Sequence, residues 1–146
     1  MMSIKPSKLR EMLKRHEGLR LKPYLCPSGK YTIGYGRNLE DNGITLMEAN
    51  IMLSEDISRV LQECTNAFVW FNAISIERQD VICNLCYNLG MTRLLLFKKF
   101  LAAMSAQDYV RASKEMLDSR YAQQVPLRAQ ELARMMVTGS YGDQLS

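Results

Sequence analysis

The segment His16–Leu39, H-E-G-L-R-L-K-P-Y-L-C-P-S-G-K-Y-T-I-G-Y-G-R-N-L, decides how the rest of the chain is read. It opens as the end of an amphipathic helix and passes into a Gly-rich, β-branched and aromatic run that cannot stay helical. Upstream, Ser7 suits an N-cap, and Leu9, Met12 and Leu13 share one face across Lys8–His16. Gly18 then accepts the left-handed conformation that closes a helix. Leu19–Tyr24, interrupted by Pro23, reads as a short or edge strand, and Pro27-Ser28-Gly29-Lys30 is turn chemistry. Tyr31-Thr32-Ile33 is β-prone, and Gly34 and Gly36 bracket Tyr35. A small antiparallel sheet or hairpin over residues 19–39 accommodates the whole stretch.

Working outward, Glu40-Asp41-Asn42-Gly43 reads as a polar loop, and Thr45-Leu46-Met47-Glu48 has capping-box spacing. Leu46, Ala49, Leu53, Ile57, Val60, Leu61 and Cys64 hold one stripe, which predicts a helix over residues 46–64. A break follows over residues 65–73, where Phe68, Val69, Trp70 and Phe71 suggest a buried loop or short helix serving as core filler. Beyond Ser75, which can cap Ile76–Leu89 before Gly90, the pattern is helical throughout: Phe97–Met104, Asp108–Asp118, then Pro126 as the first residue of a last helix to Val137, closed by Gly139. The expected fold is α+β but mostly α. A first lobe covers about residues 1–64, a connecting segment about 65–74 and a helical lobe about 75–146, all within one domain.

Bulk properties bound the function only loosely. With 146 residues, 47% of them apolar and 23% charged, the chain can bury a real core and is not of disordered type. A net charge of +4 fits a polyanionic target such as nucleic acid, anionic membrane or cell-wall polymer, and fits a routine soluble protein equally well. No apolar run near the N-terminus is long enough for a signal peptide or anchor, so synthesis in the cytosol with reduced thiols is expected. The four cysteines do not form a disulfide framework. Cys83-x-x-Cys86 has metal or redox spacing, but it lies inside a helical pattern with Val81, Ile82, Leu85 and Leu89, which favours a helix-face core pair. Gly34-x-Gly36 is too short for a dinucleotide fingerprint.

Glu17 stands at a helix end, where the macrodipole disfavours an anion; a carboxyl there is a candidate proton donor, although a solvated surface glutamate is the commoner occupant. Cys26 and Thr32, taken alone, read as a small hydrophobe and a strand residue. Arg128 opposes the dipole at a helix start. A carboxylate partner such as Glu17 would account for it, and an exposed arginine is the simpler reading.

A pattern connects these residues. E-G-L-R-L-K-x-Y-x-C-x-x-G-x-Y-T-I-G-Y-G over residues 17–36 closely resembles the phage lysozymes of the T4-lysozyme type, glycoside hydrolase family 24. That family carries a Glu, an Asp nine residues on and a Thr six residues later; Glu17 and Thr32 match without a gap. Asn84–Gly90, Ser119-Arg120-Tyr121, Pro126–Arg128 and Thr138-Gly139-Ser140-Tyr141 resemble its later segments.

The resemblance implies a two-lobed fold with a cleft between the lobes, and a muramidase that hydrolyses the β-1,4 bond between N-acetylmuramic acid and N-acetylglucosamine of peptidoglycan. It assigns Glu17 as general acid, Thr32 as a residue that positions water, Arg128 as partner of the acid, and Asn88 and Tyr35 as supporting residues. It implies no metal or other cofactor, no nucleic-acid partner, no stable membrane insertion, a monomer, and release from the host cytoplasm to the wall through a holin pore. The departure is Cys26, which occupies the aspartate position. A thiol is neutral near pH 7 unless brought down from about 8.5; Lys22, Lys30 and Arg37 would favour the thiolate and an ionised Glu17 would oppose it. Base, electrostatic partner and nucleophile are all open to the sulfur. Arg37 also stands where many members have His. Two rivals are a lytic transglycosylase, told apart by the mass of its anhydro products, and a non-catalytic wall-binding relative, told apart by failure to clear permeabilised cells.

Overall fold

The computed structural model describes residues 7–142, so Met1–Pro6 of the N-terminal segment lie outside it. The chain divides into two units, one ending at Ile51 and one starting at Met52. Among the described residues, no helix is long and apolar enough to cross a membrane.

In the first unit, α1 (Lys8–Glu17) starts where the Ser7 side chain accepts from the Arg10 N–H. It ends at Gly18, whose φ of 71° and ψ of 162° differ from the expected left-handed helical cap but still need positive φ, which glycine adopts without steric cost. Leu9, Met12 and Leu13 share a face as expected, yet none is buried. Three antiparallel strands follow in the order β1 (Arg20–Leu25), β2 (Tyr31–Gly34) and β3 (Arg37–Asn38). Thr32 lies opposite both Tyr24 and Asn38, and its side chain is buried. The β1–β2 register shifts between Arg20 and Tyr24. Pro23 falls in that interval, and its missing N–H removes a ladder donor.

The expected polar loop at residues 40–43 is instead the end of a short helix, α2 (Leu39–Asn42). The Asn38 side chain caps it by accepting from the Asp41 N–H at 3.1 Å. The capping box is present: Thr45 N–H donates to Glu48 at 2.8 Å, and Glu48 N–H donates to the Thr45 hydroxyl at 3.1 Å. It opens α3 (Leu46–Ala67), three residues longer than the apolar stripe predicts. The division between units falls within α3. Of the stripe residues, only Val60 and Cys64 are buried.

The second unit holds the core. Phe68 and Phe71 are buried, Trp70 stacks on Phe68 with centroids 4.8 Å apart, and Val69 is fully exposed, so three of the four bulky residues serve as filler. A single 3₁₀ turn, Phe71–Ala73, leads to α4 (Ile76–Leu89), capped by Ser75. α5 (Met91–Leu94), α6 (Lys98–Ser105), α7 (Tyr109–Leu117), α8 (Arg120–Gln124) and α9 (Pro126–Thr138) follow. Phe100, Ile82, Leu85, Leu94, Met104, Met116 and Met136 are fully buried. Arg78 ties α4 to the end of α9: its guanidinium donates to the carbonyls of Met136 at 2.8 Å and Val137 at 3.1 Å, and stacks on Tyr109. A cation suits those orphan C-terminal carbonyls.

Candidate active site

The first unit carries Glu17, Cys26, Thr32 and Tyr35. Glu17 is the last residue of α1 and is exposed. Its carboxyl lies against Gly36 in the β2–β3 turn: a Cβ at that glycine would sit 2.6 Å from Oε2 and 3.0 Å from Cδ. Gly36 also has φ of 77°. Glycine is therefore required twice over, for the backbone conformation and for the close approach of the acid. Gly34 has φ of 70° but nothing within 4 Å of its would-be Cβ. On the muramidase activity that the sequence resemblance implies, with Glu17 as its acid, Gly36→Ala should lower lysis by about a hundredfold, because a misplacement of about 1 Å at a reacting group costs that much. Gly34→Ala, which carries the backbone strain alone, should retain most activity. Equal losses in the two variants would show that strain matters and the Glu17 contact does not.

Cys26 and Thr32 are brought together at the β1–β2 end of the sheet. Cys26 is half-buried, and its Sγ lies 3.0 Å from the Ser28 hydroxyl. The Thr32 hydroxyl donates to the Lys30 carbonyl at 2.9 Å. The thiol is held down to about 7, first by the Ser28 hydroxyl, then by the Lys30 and Ser28 backbone N–H groups, with the Thr32 side chain adding a smaller effect. The source is thus hydrogen bonding and not the expected lysine and arginine charges. Lys30 Nζ is 3.5 Å from Asp41, and Arg37 forms a two-pronged pair with Glu48 at 2.7 and 2.8 Å. Tyr35 is exposed, with the Lys14 ammonium 5.7 Å from its ring centroid.

The Arg37 pair takes the place expected to lack a histidine ion pair, and it joins β3 to the first turn of α3. Arg37 holds the Glu48 carboxyl at about 2, below its ordinary 4.5, and the Thr45 N–H assists. A depressed carboxyl stabilises the fold above its unfolded value and loses that contribution as pH falls toward the folded one. Glu48→Gln should therefore melt at a lower temperature than the parent at pH 7, with the gap closing between about pH 4.5 and about pH 2. Thermal melts across that range check it, and a gap independent of pH would contradict the pairing.

The second unit carries Arg128, Asn84 and Asn88. Arg128, in the first turn of α9, donates through Nε to the Asn84 side chain at 2.8 Å. Both line a groove of about 410 Å³ together with Val60, Cys83, Tyr87 and Tyr141. The Tyr141 hydroxyl donates to Asp80, which pushes the phenol up to about 12. Asn88 is exposed at the end of α4. Cys86 is buried on the core side of α4 and Cys83 half-buried, as a helix-face pair should be, with Cys64 of α3 against them.

Sequence reasoning missed Ser28, which the turn reading had already explained, and Asn84, whose tie to Arg128 spans 44 residues. A hydroxyl two residues beyond a site cysteine was the available signal for the first.

Comparison with known proteins places this architecture. Residues 14–135 match the phage lysozyme family. The chain is 36% identical over 110 residues to an endolysin of Acyrthosiphon pisum secondary endosymbiont phage 1, covering 73% of each protein. It is 30% identical over a 164-residue alignment to the pre-baseplate central spike protein Gp5 of Enterobacteria phage T4, covering 90% of this chain and 28% of that protein. It is 26% identical over 164 residues to probable T4-type lysozyme 1 of Dictyostelium discoideum, covering 92% of this chain and 96% of that protein. A match across residues 14–135, together with a mostly helical chain bearing a small N-terminal antiparallel sheet, shows that this chain belongs to the phage lysozyme family.

Proposed function

We propose that this lysozyme-family chain is an endolysin that hydrolyses the β-1,4 bond between N-acetylmuramic acid and N-acetylglucosamine and so lyses bacterial cells. One observation carries the reading. The Glu17 carboxyl rests on the Gly36 turn of the same three-stranded sheet that holds Cys26 and Thr32 within a shared hydrogen-bond cluster.

Glu17 donates its proton to the glycosidic oxygen as the C1–O bond breaks, and the bonding pair leaves with that oxygen. Water then adds to C1, and its proton passes to the Cys26 thiolate or to bulk water. The work of the usual aspartate, to activate or accommodate that water, falls to the Cys26 sulfur, which Thr32 supports. Arg128 and Asn88, with Tyr35, serve binding and support. The chain works as a monomer without a cofactor and reaches the wall from the host cytoplasm through a holin. The +4 charge suits an anionic glycan.

The test is turbidity clearing of outer-membrane-permeabilised Gram-negative cells by the purified protein. Rapid clearing is expected. Wall binding without clearing would leave a binding relative in place of an enzyme.

A further inference from the structure

The turn that follows β1 is wound tightly around one sulfur. Cys26 N–H donates to the Lys30 carbonyl at 2.9 Å, and Gly29 N–H donates to the Cys26 carbonyl at 2.8 Å. This folds Ser28 back until its hydroxyl oxygen stands 3.0 Å from Cys26 Sγ. The same contact is the largest of the effects that favour the ionised, accepting form of the thiol. Thr32 cannot be the main hydroxyl donor. A hydroxyl carries one hydrogen, and that of Thr32 goes to the Lys30 carbonyl at 2.9 Å. An ionised sulfur has no hydrogen to give and only accepts, so across the 3.0 Å contact the Ser28 hydroxyl is the donor.

We propose that Ser28 is a positioning residue for the reaction: its hydroxyl donates to Cys26 Sγ, keeps the sulfur in its acceptor state and fixes its direction at the end of the sheet. This rests on the reading of Cys26 as part of the glycan-cleaving set.

Lys30, Arg37 and Arg20 each have another partner. On α2, Asp41 takes the Lys30 ammonium at 3.5 Å and Glu40 accepts from the Tyr31 N–H at 2.9 Å. On β3, Arg37 is committed to Glu48 at 2.7 Å. The Arg20 guanidinium of β1 lies over the Tyr24 ring, 4.5 Å from its centroid. A charge-assisted O–H···S contact is then the main local means of favouring the ionised thiol. An aspartate in this position would be ionised at neutral pH without such help. The need for Ser28 therefore follows from the sulfur.

The experiment follows the pH dependence of iodoacetamide alkylation at Cys26, read by the mass of its peptide, in the full-length parent, Ser28→Ala and Ser28→Thr. The parent should show a midpoint near 7, from an ordinary value of 9.0. Ser28→Ala should move it upward and slow alkylation at pH 7 by about fivefold or more, since the thiolate is the reacting form. Ser28→Thr, which keeps the hydroxyl, should restore it, and the acid limb of the lysis profile should shift in the same order. An unchanged midpoint in Ser28→Ala, or a lysis profile that does not follow the midpoint, overturns the proposal. Alkylation does not depend on turnover, so full lysis by Cys26→Ser would defeat the underlying reading alone.

Discussion

Glu17→Gln should abolish lysis of permeabilised cells, with a fall in rate of at least about a thousandfold, which lies within the range that a positioned general acid contributes. That corresponds to about 4 kcal/mol of lost transition-state stabilisation. Glutamine keeps the size and the hydrogen-bonding edge of the side chain but has no proton to give to a leaving oxygen. The fold should not register the change. Glu17 is exposed, ends α1 and belongs to no core cluster, so the melting behaviour should match the parent. Gln still fits beside Gly36, where only a Cβ on the glycine would collide with it. Clearing rates measured alongside thermal melts separate loss of chemistry from loss of structure. Activity within about tenfold of the parent would remove Glu17 from the role of acid.

The second large effect concerns the sulfur. Cys26→Ser should lower the lysis rate by about a hundredfold or more, because a serine hydroxyl cannot ionise near neutral pH and cannot replace the thiolate. Cys26→Asp should stay within about tenfold of the parent, since an ionised carboxylate accepts the same donors. The Ser28 hydroxyl then faces an oxygen instead of a sulfur. Thiol alkylation should inactivate the parent and spare Cys26→Asp. Cys64 and Cys86 are buried and Cys83 is half-buried, so peptide mass after alkylation assigns the sensitive site. Normal lysis by Cys26→Ser would make Cys26 a structural residue.

What could be read from the sequence was local. Helix starts declared themselves through Ser7, Ser75 and the Thr45–Glu48 box, and the last helix through Pro126 and Gly139, because each signal involves side chains within four residues of the backbone groups they satisfy. The short helices α2, α5 and α8 were not legible, since four or five residues hold too little apolar period to register. Even so, Asn38 ahead of Asp41 was a capping signal for α2.

Periodicity also overstated burial. Leu46, Leu53, Ile57 and Leu61 keep the stripe of α3 and are exposed, whereas Val60 and Cys64 on the same stripe are buried. Glu17, Cys26 and Thr32 were singled out as candidates through motif spacing. Their physical setting was not legible that way. The Gly36 contact, the Ser28 hydrogen bond and the Arg37–Glu48 pair depend on how the strands and turns return on themselves. The Lys30 and Arg37 charges, near Cys26 in sequence, turn out to be spent on Asp41 and Glu48. Proximity along the chain was a poor guide to electrostatics there.

We propose cleavage of the glycan by hydrolysis, with Glu17 as the acid. Its most direct test is mass analysis of the fragments released from purified peptidoglycan by the parent and by Glu17→Gln. Hydrolysis predicts fragments ending in hydrated N-acetylmuramic acid from the parent and none from Glu17→Gln. Fragments ending in the anhydro sugar, or the same hydrated fragments from both proteins, would contradict it.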